Sequence, residues 1–117
     1  MTDSVLKTKS KELAVMLVVL CRELKKRGTE GSLYSQLIRC GTSVGANIYE
    51  AQFAHGIRDF VSKLEISLKE CNECIFWLEI LRDSNSISDS EFAEYNDACT
   101  QIRRMLISSI NTSKAKF

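Results

Sequence analysis

Arg39-Cys40-Gly41-Thr42-Ser43-Val44-Gly45-Ala46-Asn47-Ile48-Tyr49-Glu50-Ala51-Gln52 has the spacing of a helix and an odd composition for one. Val44, Ile48 and Ala51 supply a narrow apolar stripe at helical spacing. Gly41 and Gly45 lie four residues apart and therefore share a face. Each glycine costs a helix interior about 1 kcal/mol relative to alanine. Two such costs within one turn predict that another part of the molecule comes close to this backbone. Ser43, Ala46 and Asn47 keep the surroundings small or polar, so the helix is thin and needs longer, greasier helices around it.

The flanking sequence supplies them. No proline occurs in 117 residues and only five glycines do, which favours long uninterrupted helices. Leu6, Ser10, Leu13, Leu17, Leu20 and Leu24 follow a heptad spacing, with Ala14, Val15, Val18 and Val19 as a second apolar line. Asp3 or Ser4 can cap this helix, and Lys25, Lys26 and Arg27 suit its negative end before Gly28 stops it. After Gly56, Ile57, Val61, Leu64, Leu68, Cys71, Ile75 and Leu78 form another seam, thickened by Phe60, Cys74, Trp77 and Leu81. Ser88-Asp89-Ser90-Glu91 is a capping box, with Ile87 and Phe92 placed as a hydrophobic staple. Phe92, Tyr95, Cys99, Ile102 and Leu106 then continue at heptad spacing. The expectation is one domain, residues 1–117, with helices over about 4–27, 33–55, 57–83 and 88–113. Short links between them predict an all-α, up-down-up-down antiparallel four-helix bundle.

Composition narrows the function classes. Charged residues make up 26% of the chain and the net charge is +1, an ordinary soluble balance. Its distribution is uneven. Residues 1–27 carry seven Lys/Arg against three Asp/Glu (+4), residues 28–86 five against eight (−3), and residues 87–117 four against four. The longest apolar run, Leu13 to Cys21, is nine residues. That is too short for a bilayer, so no membrane partner is expected. Five cysteines and no secretory pattern predict reduced thiols and a cytoplasmic location.

Leu37-Ile38-Arg39, Gly41 to Ile48 and Glu50-Ala51-Gln52 resemble a known family. So do Asp59-Phe60, Lys63-Leu64, Ile66 to Glu70, Asn72-Glu73 and Trp77-Leu78-Glu79. The family is that of the small bacterial four helix bundle proteins. They are also called intervening-sequence or S23-type proteins, because some are encoded within inserts in large-subunit ribosomal RNA genes. The resemblance spans nearly the whole chain. It implies a homopentameric ring. A related bundle, the accessory protein of diversity-generating retroelements, binds reverse transcriptase and nucleic acid. Close relatives often carry Arg before Glu50-Ala51, where this chain has Tyr49, and the retroelement relatives are distinctly more basic.

Several residues invite a chemical reading. Cys71-Asn72-Glu73-Cys74 has the spacing of a metal or redox pair, but it lies within a helix seam and the chain has one histidine. Buried free thiols are the expectation, with no metal and no cofactor. His55, beside Gly56, is expected to serve the end of the second helix. No nucleophile or base accompanies it at catalytic spacing, so no enzyme is expected. Arg39, Asn47 and Glu50 are read as one hydrogen-bonded network fixing helix or subunit register. With Gly41, Ser43 and Gly45 they form the expected packing or oligomer core. Lys7, Lys11, Arg22, Lys25, Lys26 and Arg27 are the candidate nucleic-acid contacts, although the first helix has no aromatic residue for base stacking. The functional expectation is a non-enzymatic homo-oligomer that binds a protein partner. The alternative is a ring that binds RNA or DNA through the basic first helix.

Overall fold

Four helices account for nearly all of the chain: α1 (Thr2–Lys26), α2 (Gly31–Ala51), α3 (Ile57–Asp83) and α4 (Asp89–Lys114). The computed structural model describes residues 2–117, with side chains from Val5 onward. The expected cap at Asp3 or Ser4 therefore lies outside the described side chains. Each helix packs against its sequence neighbour, and α4 closes back on α1, so α1 and α3 lie diagonally across the core. The result is an up-down-up-down antiparallel four-helix bundle of 47 × 21 × 19 Å.

The α1 seam is the backbone of the core. Leu6, Ser10, Leu13, Leu17, Leu20 and Leu24 are all buried, as heptad spacing requires. Ser10 tolerates burial because its hydroxyl donates to the Lys7 carbonyl at 3.0 Å. On α3 the buried line runs through Val61, Leu64, Ser67, Cys71, Cys74, Leu78 and Leu81. The seam read from the sequence placed Leu68 and Ile75 at the centre; both are only partly buried. Hydrophobicity favoured Leu68 over Ser67, but Ser67 reaches across to donate to the Val44 carbonyl of α2 at 2.8 Å. That bond removes the penalty of burying its hydroxyl and draws α3 against the thin part of α2.

The links are set by local chemistry. Gly28 has φ +81. Its amide bonds the Lys25 carbonyl and that of Thr29 bonds the Leu24 carbonyl, the paired closure that ends α1. Asn85, φ +64, repeats the arrangement after α3 through bonds from Asn85 to Arg82 and from Ser86 to Leu81. The Ser88 hydroxyl accepts from the Glu91 amide and the Glu91 carboxylate accepts from the Ser88 amide, both at 3.0 Å, so the capping box forms.

Helix α2 differs at both ends from its expected span of 33–55. Gly31 and Ser32 are helical. At the other end regular winding stops at Ala51, and tighter bonds from Gln52, Phe53 and Ala54 to the carbonyls three residues back unwind it. The His55 amide instead donates to the Asp59 carboxylate at 3.1 Å, so His55 belongs to the start of α3 and not to the end of α2. Gly56 marked the break correctly, but Gln52-Phe53-Ala54-His55 before it did not reveal where winding stopped.

Candidate functional site

The close approach implied by the paired glycines is made by α1. A Cβ on Gly41 would overlap the Leu17 methyl, and one on Gly45 would stand 3.4 Å from the Ser10 carbonyl oxygen. Beside this crossing a groove of about 350 Å³ opens to solvent, with Ala14, Gly45 and Ala46 in its lining and Lys7, Lys11 and Tyr49 around it. The Lys7 ammonium stands over the Tyr49 ring, 5.8 Å from its centre.

Arg39 is the centre of a polar network on the opposite edge of α2. Its Nη1 donates to Glu70 at 3.0 Å, its Nη2 to Glu73, and its Nε to Gln36 at 3.1 Å. Glu70 and Glu73 lie one turn apart on α3, so a single guanidinium spans both. The Trp77 indole donates to the same Glu73 carboxylate at 3.1 Å, giving its N–H the partner a half-buried indole needs. The network ties α2 to α3 at a surface where Arg39 is 48% exposed and Glu70 13%.

Asn47 and Glu50 do not join it. Arg39 and Asn47 are eight residues apart, about 12 Å along a helix axis. Asn47 bonds its own helix through Ser43, to the carbonyl at 2.9 Å and the hydroxyl at 3.2 Å. Glu50 makes a loose pair with Lys63 at 3.9 Å. The single network read from the sequence is three separate devices. Gln36, Glu70, Glu73 and Trp77 were missed as members. The signal available was the carboxylate pair at i and i+3 with a tryptophan one turn on.

The six basic candidates also divide. Lys11, Arg22, Lys25 and Lys26 are exposed on α1, and none has a carboxylate within 4.0 Å among the described residues. Arg27 turns to α4: it pairs with Glu91 at 2.7 Å, donates to the Ser86 carbonyl at 3.1 Å and lies 3.6 Å from Glu23. Helical period places Arg27 about a quarter-turn or more from its neighbours, on the side of α4.

A profile of the 23S rRNA-intervening sequence proteins matches residues 2–108. The chain belongs to the 23S rRNA-intervening sequence protein family. Its fold is also that of a crystal structure from Bacteroides thetaiotaomicron, a protein with unknown function from the S23 ribosomal protein family. The two are 42% identical, with a TM-score of 0.93 over 95% of this chain and 99% of that one. No curated protein matches.

In this intervening-sequence protein the five cysteines are free and buried. Cys74 donates to the Cys40 sulfur at 3.2 Å and Cys71 to the Cys99 carbonyl at 3.3 Å. Burial, with Cys40 nearby, raises the Cys21 thiol to about 11. Bonds to neighbouring thiols, and then burial, push Cys71 and Cys74 well above the ordinary thiol range. Thiols so held pack as small apolar groups and are poor nucleophiles. Among the described residues no three His, Cys, Asp or Glu side chains could hold a metal ion, and no helix is long and apolar enough to cross a membrane.

Proposed function

We propose that this intervening-sequence protein is a non-enzymatic, homo-oligomeric helical scaffold that binds a protein partner. A five-membered ring is the assembly implied by its sequence resemblance. The observation that carries this reading is apolar surface left uncovered on two diagonal helices. Val15 and Val19 of α1 are 57% and 54% exposed, and Phe76 of α3 is 50% exposed. Isolated bundles keep such faces polar, and contiguous exposed apolar surface marks contact sites. Phe53, 69% exposed beside Tyr49 at 5.4 Å, offers further apolar area near the α1–α2 groove for a non-identical partner. The absence of catalytic spacing in the sequence agrees with a binding role.

A second reading has its own support. Lys11, Arg22, Lys25 and Lys26 lie exposed along α1, and copies around a ring would multiply a weak phosphate-binding face. Capture from host extract with and without ribonuclease distinguishes the two. The scaffold reading expects a defined protein retained after ribonuclease. Recovery of RNA alone, with binding that weakens steeply as salt rises, would favour the nucleic-acid reading and overturn the scaffold.

A further inference from the structure

We propose that the groove between α1 and α2 is a binding site for a nucleoside 5′-monophosphate. Such a site is complete within one chain and does not depend on the oligomeric reading above. The sequence offered the basic residues of α1 no aromatic neighbour on their own helix; the fold supplies one from α2. The two helices are antiparallel, with Gly45 over Ser10. Tyr49 of α2 therefore comes about level with Lys7 of α1, and Thr42 about level with Ala14.

One end of the groove is cationic. Lys7 and Lys11 stand one turn apart on α1. Both are exposed, and neither pairs with a carboxylate among the described residues. Two unpaired ammoniums match the two charges of a phosphate monoester. The Lys7 ammonium rests 5.8 Å from the centre of the Tyr49 ring, near the outer limit of a cation–π contact. It can leave for a phosphate at small cost, and the ring face it vacates is a stacking platform for a base.

The middle of the groove is flat. Ala14, Gly45 and Ala46 put nothing beyond a Cβ into it, so a planar ring can lie close to the backbone. Side chains on a helix lean toward its N-terminus. Tyr49 therefore leans back toward Ala46, while both lysines reach away from Ala14 to the open end. The far end accepts and does not donate. The Thr42 hydroxyl commits its proton to the Ile38 carbonyl at 2.7 Å, which leaves only lone pairs for a ligand. A group seated there must bring an N–H, as the exocyclic amine of adenine or cytosine does and the corresponding carbonyl of uracil does not. From Lys7 to Ala14 is about 10 Å along the helix axis, the reach of a mononucleotide from phosphate to amine. A volume of about 350 Å³ lies at the small end for ligand sites and suits one nucleotide rather than two.

The test is isothermal titration of the full-length, nucleic-acid-free protein with AMP, CMP, UMP, adenosine and inorganic phosphate. AMP and CMP are expected to bind. UMP should bind about threefold or more weaker, and adenosine or phosphate alone about tenfold or more weaker, since each lacks one of the contacts. Lys7→Ala with Lys11→Ala removes the phosphate end, and Ala46→Leu fills the floor. All three positions are exposed, so the thermal melt should not move, while AMP affinity should fall about tenfold or more. Thr42→Val should erase the preference for AMP over UMP and leave UMP binding unchanged. A short oligoadenylate with and without a 5′-phosphate separates two sources of the same chemistry. Tighter binding of the phosphorylated strand than of AMP assigns the site to an RNA 5′ end, and weaker binding assigns it to the free nucleotide. The site is overturned if AMP shows no saturable binding, if Ala46→Leu binds it as the wild type does, or if inorganic phosphate binds as tightly as AMP. The oligomeric scaffold stands or falls separately, by light scattering.

Discussion

The Arg27 guanidinium at the end of α1 holds the Glu91 carboxylate in the first turn of α4 at 2.7 Å, and the same carboxylate closes the capping box on Ser88. One acidic group thus joins the first and last helices and starts the last one. The Arg27 bond, and then the Ser88 amide, lower the Glu91 pKa to about 2. An unfolded glutamate titrates near 4.3. The depressed value means the contribution is complete above about pH 4.3 and is lost as pH falls toward 2. Both side chains are partly solvated, so its size is below about 1 kcal/mol. Urea midpoints measured from pH 6 to pH 2.5 should fall less steeply for Glu91→Gln than for the wild type. Parallel curves would contradict the assignment.

Ser88→Ala removes the hydroxyl that accepts from the Glu91 amide. The expected loss is about 1 kcal/mol, as for other N-caps. Ser88→Asp, which keeps an acceptor, should lose much less. The denaturant midpoint reads both, and an unchanged midpoint for the alanine variant would remove Ser88 from the cap.

Gly45→Leu should destabilise the bundle by about 1–3 kcal/mol or more, since a leucine there must push against the Ser10 backbone. Gly45→Ala is the control: its Cβ stands at ordinary contact distance and it gains helix propensity. Thermal melts should separate the two variants clearly. Equal melting temperatures would mean that α1 yields freely at this crossing.

Much of this architecture was legible in the sequence because it is local. The α1 heptads, the capping box and the two close-packed glycines each depend on residues within a turn or two of one another. What was not legible depends on the facing helix. Ser67 is a core residue only because the Val44 carbonyl waits across the interface. Arg39 finds Glu70 and Glu73 rather than Asn47 and Glu50, because reach across the α2–α3 edge outweighs proximity along one helix. The separation of Arg27 from the other basic residues of α1 likewise required α4 to be in place.

Arg39→Ala should lower stability by about 1 kcal/mol, modest because the guanidinium is about half exposed. It leaves Glu70 and Glu73 one turn apart without their shared cation. Arg39→Lys should recover only part of the loss, since an ammonium cannot span both carboxylates with the same fork. Denaturant unfolding followed by Trp77 fluorescence measures both, and full recovery by lysine would show that the paired geometry is immaterial.

The central claim is that the apolar faces left open on α1 and α3 are closed by further copies of the chain. Light scattering on the purified, nucleic-acid-free protein at micromolar concentration tests it most directly. The account predicts an assembled species, near 66 kDa for five chains of 13.2 kDa. A single species at 13.2 kDa would contradict it.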